Sequence, residues 1–129
     1  MLALQKHVRR ASRDIEHGLQ CTCVTLFRYR HPDMARVLFA VPNGGRRDAA
    51  TGSRLKDEGV TAGVADLILL HRTSRYGALC IEMKTDTGRQ SPAQKEWQRE
   101  AENNGSKYVV VRSLEEFTRA VEAYLNNEE

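Results

Sequence analysis

GVTAGVADLILLHRTSRYGALCIEMKTDTGRQSPAQKEW, residues 59–97, is the stretch that decides the fold. Two runs rich in strand-forming residues, 66–71 (DLILLH) and 78–84 (ALCIEMK), flank a polar connection at 72–77, the length of a hairpin loop. Pro92–Asn103 then reads as a helix, with Ser91 as N-cap, Pro92 at the first helical position and Asn103-Asn104-Gly105 as the stop. If the hairpin centres near Ser74 and Arg75, facing residues have numbers summing to 149 or 150, which sets Asp66 opposite Met83 or Lys84 and close to Glu82. Strand alternation puts Glu82 and Lys84 on one face and turns Met83 away. Two carboxylates and one ammonium then converge at one end of an apolar hairpin. Burying charge there is costly unless it is paired or bound to a metal.

Working outward, residues 12–29 read as a helix, with Ser12 as a possible N-cap and Ile15, Leu19, Thr22 and Leu26 at helical spacing. His31-Pro32-Asp33 ends it, because the residue before proline is pushed out of the helical region. Residues 36–41 (RVLFAV) form a short β-rich run stopped by the turn signal Pro42-Asn43-Gly44-Gly45. A further helix over 49–58 is closed by Gly59. Residues 107–112 (KYVVVR) hold a near-continuous apolar run, as in a strand covered on both faces. Residues 113–125 make a last helix with a capping box of Ser113 and Glu116, and with Leu114, Phe117, Val121 and Tyr124 on one face. The order α-β-(α)-β-β-α-β-α predicts an α/β sandwich around one mixed sheet.

At 129 residues, with 40% apolar and 29% charged residues, the chain suits one compact domain over 1–129 and carries no bias towards disorder. No apolar run is long enough for a transmembrane helix, and the N-terminus lacks a signal-peptide pattern, so a cytoplasmic location is expected. Cys21, Cys23 and Cys80 make no disulfide framework and no zinc spacing. His7, His17, His31 and His71 show no metal-ligand spacing, and Trp97 is expected in the core. Residues 1–60 carry 11 Lys/Arg against 6 Asp/Glu, whereas 61–129 carry 9 against 11. That asymmetry is compatible with a phosphate-backbone partner for the N-terminal half. Arg46, Arg47, Arg54 and Lys56 cluster around a Gly-rich loop and are the candidates for that contact, a solvated basic loop being the other reading.

The chemistry of the hairpin end is coherent. Asp66, Glu82 and the backbone carbonyl of Met83 form an oxygen-rich donor set suited to Mg²⁺ or Mn²⁺. Such an ion polarises a phosphodiester and helps generate hydroxide, while Lys84 orients the attacking water or neutralises charge in the transition state. Glu-x-Lys on a strand also occurs as a surface salt-bridged pair.

The segment also resembles the PD-(D/E)xK nuclease superfamily and, within it, the virus-type replication-repair nuclease (VRR-NUC) domain. That family's pattern is a Gly-x-Pro-Asp strand, then Glu-x-Lys, then Gly, Ser and Gln leading into a helix. Gly63-Val64-Ala65-Asp66, Glu82-Met83-Lys84, Gly88, Ser91 and Gln94 stand at matching places, with Ala65 replacing a proline that shapes the turn and is no ligand. Upstream, Glu16 and Gln20 fit the acidic residue and the glutamine four positions on in the family's first helix, and Asn43 falls in a similar turn. The likeness spans roughly residues 13–117 and is nearest to standalone viral or bacteriophage members.

The resemblance implies a restriction-endonuclease-like core with a sheet of about four strands. It also implies a structure-specific DNA endonuclease, dependent on Mg²⁺ or Mn²⁺ and without a nucleotide cofactor, acting as a homodimer on branched DNA such as four-way (Holliday) junctions in DNA repair. In that reading Asp66 and Glu82 bind metal, Glu16 supports it directly or through water, Lys84 assists catalysis, Gln94 positions water and Ser91 joins the DNA contacts. Two other readings stay open: a restriction- or RNA-processing-type nuclease on the same core, and a DNA-binding module without catalysis.

Overall fold

Local capping chemistry fixes the two C-terminal helices where the sequence places them. In the computed structural model, which describes residues 2–42 and 49–127, Pro92–Asn103 (α3) opens with the Ser91 hydroxyl accepting from Gln94 N–H while the Gln94 side chain accepts from Ser91 N–H. This reciprocal box satisfies two donors that a helix start otherwise leaves unpaired. Leu114–Leu125 (α4) starts at Ser113, whose hydroxyl accepts from Glu116 N–H, one half of the expected box. Its buried face is Phe117, Val121 and Tyr124.

The N-terminal helix is longer than expected. It runs over Leu2–Arg30 (α1), so Ser12 lies inside it and does not cap it. Residues 2–11 hold no Gly or Pro and are rich in Leu, Ala, Gln, Lys and Arg, so nothing in their chemistry stops the helix. The buried stripe is shifted as well: Ile15 is 60% exposed and Thr22 is exposed, while Cys23 and Phe27 are buried with Leu19 and Val24 beside them. A buried thiol behaves as a small hydrophobe, which lets Cys23 extend the apolar face.

The strands are Leu38–Ala40 (β1), Leu67–Leu69 (β2), Leu79–Met83 (β3) and Lys107–Val111 (β4), joined in the order β1-β2-β3-β4. The first two pairings are antiparallel and β3–β4 is parallel, with α3 as the crossover. The ladders of β1 and β2 are shorter than the runs at 36–41 and 66–71, although Val41 N–H to Asp66 O and Leu70 N–H to Val37 O continue the pairing at either end. Ala49–Asp57 (α2) ends at Gly59, φ 104°, with Gly59 N–H on Lys56 O and Val60 N–H on Leu55 O. That 6→1 and 5→2 pair is a Schellman stop, which a glycine makes without strain.

The hairpin register departs from expectation. Leu67 faces Ile81 and Leu69 faces Leu79, so facing numbers sum to 148. The turn is centred between Ser74 and Arg75, with Thr73 N–H on Tyr76 O, but Gly77 N–H and the Ala78 carbonyl then pair with Gly105 and Lys107. The chain therefore joins the β4 side first and reaches β2 one residue out of step. Continuing the observed register sets Asp66 across from Glu82, which puts the two carboxylates on one face of the sheet.

Two layers cover the sheet. Leu67, Leu69, Leu79, Ile81 and Met83 pack with Phe27 of α1 and with the buried face of α4. On the other side Ala65, Cys80 and Tyr108 form a smaller cluster with Trp97 and Ala101 of α3. Trp97 is half-buried against Tyr108, ring centroids 6.0 Å apart. Among the described residues no helix is long and apolar enough to cross a membrane.

Candidate active site

Glu82 sits in the middle of the sheet's polar end with no solvent exposure. Its Oε1 accepts from Gln90 Nε2 at 2.9 Å and from the Tyr108 hydroxyl. Its Oε2 has no hydrogen-bond partner; the nearest cation is Lys84 Nζ at 3.5 Å, an ion pair without a hydrogen bond. A carboxylate so placed is stabilised by half of what it needs, and the bare oxygen is the acceptor that remains.

Asp66 stands where β1 and β2 begin to pair. Its Oδ2 accepts from Met83 N–H at 2.7 Å, which ties the aspartate to β3 across the hairpin. Burial raises its pKa above the ordinary 3.8 and the nearby Glu82 raises it further, against the Met83 N–H and the Lys84 ammonium, which pull it down. Glu16 on α1 belongs to the same field: burial raises its pKa above 4.5, Lys84 and the Thr85 backbone N–H lower it, and Asp66 and Glu82 raise it. Glu16, Asp66 and Met83 line a cleft of about 490 Å³, which Arg13, His17 and Gln20 also border. Lys84 opens onto the neighbouring cleft, beside Thr85 and Arg112.

Two glycines shape the surroundings. Gly63 adopts φ 83°, and a Cβ there would fall 2.2 Å from the Ala93 carbonyl oxygen, so only glycine lets the loop before Asp66 lie on the first turn of α3. At Gly88 a Cβ would meet Thr85 Oγ1 at 3.0 Å and the Lys84 stem at 3.4 Å, which keeps that side of the lysine closely packed.

The structure thus brings Asp66, Glu82, Lys84, Glu16 and Met83 to one end of the sheet. Among the described residues no three His, Cys, Asp or Glu side chains stand close enough to hold one ion as placed, since Asp66 and Glu82 are both turned onto protein donors. The donor set nevertheless fits a hard divalent cation in kind: carboxylate oxygens, one of them buried and unpartnered. Gln94, expected to position water, uses its side-chain oxygen on Ser91 N–H, and the Ser91 hydroxyl caps α3. Arg54 and Lys56 are exposed on the last turn of α2, while Asn43, Arg46 and Arg47 lie outside the described residues.

Three site residues escaped the sequence reading. Gln90 bridges Glu82 to Gln98 of α3, Tyr108 donates to Glu82 from β4, and Arg112 Nη1 gathers the carbonyls of Thr85 and Gly88 at 2.6 and 2.7 Å, with Asp86 at 3.4 Å. A signal existed for Tyr108, since a tyrosine in an otherwise aliphatic buried strand needs a partner for its hydroxyl.

Compared with known proteins, the chain matches the VRR-NUC domain over residues 6–115. A solved structure described as a VRR_NUC domain protein superposes with a TM-score of 0.73 at 24% identity, covering 86% of this chain and 88% of that one, a likeness of fold. No curated protein matches. With Asp66, Glu82 and Lys84 inside a family match that covers most of its length, the chain belongs to the VRR-NUC domain family, nucleases of the PD-(D/E)xK type.

Proposed function

We propose that this domain is an endonuclease dependent on Mg²⁺ or Mn²⁺ that hydrolyses phosphodiester bonds in branched DNA, four-way junctions among them, as a homodimer. The observation that carries the reading is the unpartnered buried oxygen of Glu82, with Lys84 beside it and Asp66 tied across the hairpin to Met83 N–H. Asp66 and Glu82 would hold the ion, with the Met83 carbonyl as a further oxygen donor and Glu16 in support. A divalent ion in such a set polarises the phosphodiester and lowers the pKa of the attacking water.

The chain's own residues do the rest. Lys84 neutralises charge that builds on the phosphoryl oxygens, and its attachment to Glu82 fixes where that charge is met. Tyr108 and Gln90 hold one oxygen of Glu82, which leaves the other, beside Lys84, as the one that would meet an ion. Gln94 offers its amide nitrogen to water or to a phosphate oxygen near the start of α3, where Ser91 lies. The homodimer rests on the family resemblance, and a twofold pair of sites suits a junction cut on two strands. Three cysteines outside any disulfide suit a cytoplasmic setting.

The test is cleavage of labelled four-way junction, flap, linear duplex, single-stranded DNA and RNA with Mg²⁺, Mn²⁺ or EDTA. Junction cutting that needs the ion is expected, with Lys84→Ala lowering the rate by about 10²–10³-fold. Cutting that survives EDTA, or that survives Asp66→Ala and Lys84→Ala, overturns the mechanism. Preference for linear duplex or RNA replaces the substrate with that of a restriction- or RNA-processing-type enzyme.

A further inference from the structure

The unexpected length of α1 creates a surface that the catalytic site does not use. No α1 residue before Leu19 belongs to either core cluster among the described residues, and Ala3, Gln5, Arg10 and Ala11 are exposed. Over residues 2–13 the sequence carries Lys6, Arg9, Arg10 and Arg13 and no acid, the first being Asp14. A helical segment whose described residues add nothing to the core has little tertiary support, so it gains most from a partner of opposite charge.

Position gives that partner a place. Positions 10, 13 and 17 recur at i, i+3 and i+7, so they share one helix face, and Lys6 precedes Arg10 by a further turn. Arg13 and His17 line the cleft of Glu16, Asp66 and Met83. Glu16 and Asp66 give that cleft carboxylate walls, so an anionic strand entering it meets like charge and needs a positive rim. Arg13 supplies it. Among the described residues neither Arg10 nor Arg13 takes part in an ion pair. The fifteen residues from Leu2 to Glu16 extend about 20 Å at the helical rise, the length of about six phosphates along one strand.

We infer that the N-terminal part of α1 is a DNA-binding arm, on which Arg10 and Arg13 contact the phosphate backbone of a duplex leading into the Asp66–Glu16 cleft. This rests on the nuclease reading above for its ligand, and it adds a contact surface separate from Arg54 and Lys56 on α2. The contacts are to phosphate, so they position the duplex and carry no sequence preference.

The experiment is fluorescence anisotropy of a labelled duplex in EDTA across a salt series, with cleavage of the same duplex and of a labelled junction in Mg²⁺ run in parallel. Arg10→Ala/Arg13→Ala is the main variant, because alanine favours helix and leaves the arm folded, as circular dichroism checks. Binding is expected to weaken about tenfold, and the slope of log affinity against log salt to become shallower by about two, near 0.9 for each lost phosphate contact. Arg10→Lys/Arg13→Lys keeps both quantities near the parent values. Unchanged affinity and slope in the alanine variant, an equal loss in the lysine variant, or no binding by the parent protein overturns the inference. Arginine-dependent binding by a protein that cuts nothing leaves the arm standing and sinks the nuclease reading instead.

Discussion

On the α1/α4 side of the sheet, Leu67, Ile81 and Met83 meet Phe27, Phe117 and Tyr124 in a layer whose buried members carry no charge, whereas on the α3 side Cys80 and Tyr108 share their layer with the wholly buried carboxylate of Glu82. The first layer is held by apolar burial, which is tolerant of direction and strong in sum. The second is thinner and is organised by hydrogen bonds from Gln90 and Tyr108 to one oxygen. A buried anion held through one oxygen needs a rigid surround, and the apolar face supplies the stability that lets the other face hold a destabilising group. β3 belongs to both: its odd-numbered residues face the large cluster and Glu82 faces the small one.

The largest expected effect lies on the apolar face. Phe117→Ala removes a side chain buried between α1 and the sheet and should cost about 3–5 kcal/mol in urea denaturation. A loss below about 1 kcal/mol would mean that the thick layer does not carry the fold. Next comes Tyr108→Phe, which leaves Gln90 as the only donor to Glu82 Oε1. A lost hydrogen bond to a charged group is worth about 1.5–3 kcal/mol. Stability should drop by that amount and cleavage should fall with it, whereas a variant as stable and active as its parent breaks the contrast between the faces.

The smallest effect has the opposite sign. Asp66 has its pKa raised above 3.8, chiefly by burial, so its contribution is fully present below the ordinary carboxylate range and is lost as pH rises through the raised value. Asp66→Asn keeps an oxygen for Met83 N–H and removes the charge. In EDTA the variant should therefore melt above the wild type at pH 7, with the gap closing as pH falls towards 4. A variant that melts below the wild type at pH 7 would show that Asp66 is stabilising where it stands.

How much of this was legible in the sequence depended on how local the cause was. Pro92–Asn103 and the start of α4 follow from Ser91, Pro92 and Ser113, whose hydrogen bonds reach three residues. The register of the β2–β3 hairpin did not follow, because Gly77 and Ala78 are drawn to Gly105 and Lys107, a partner that lies far along the chain. The start of α1 was missed because Ser12 has the chemistry of a cap, while the absence of any breaker before it is a weaker signal. Asp66, Glu82 and Lys84 were readable as charges in apolar strands. Gln90 was not, since a glutamine in a polar loop gains meaning only when Glu82 is seen beside it, and Tyr108 signalled a buried hydroxyl in need of a partner without saying which.

The grip of Arg112 on the connection after Lys84 has a consequence for how the protein meets a protease. Exposed loop tips are the usual points of nicking, and Arg89 offers trypsin an exposed arginine in such a place. Cleavage requires the loop to lift out and lie extended in the enzyme, yet the carbonyls of Thr85 and Gly88, and more loosely that of Asp86, are clasped by one guanidinium through charge-assisted bonds. A surface loop with the composition of a digestion site is thereby built as a closed buckle, and trypsin must wait for the fold around Arg112 to open before it can cut.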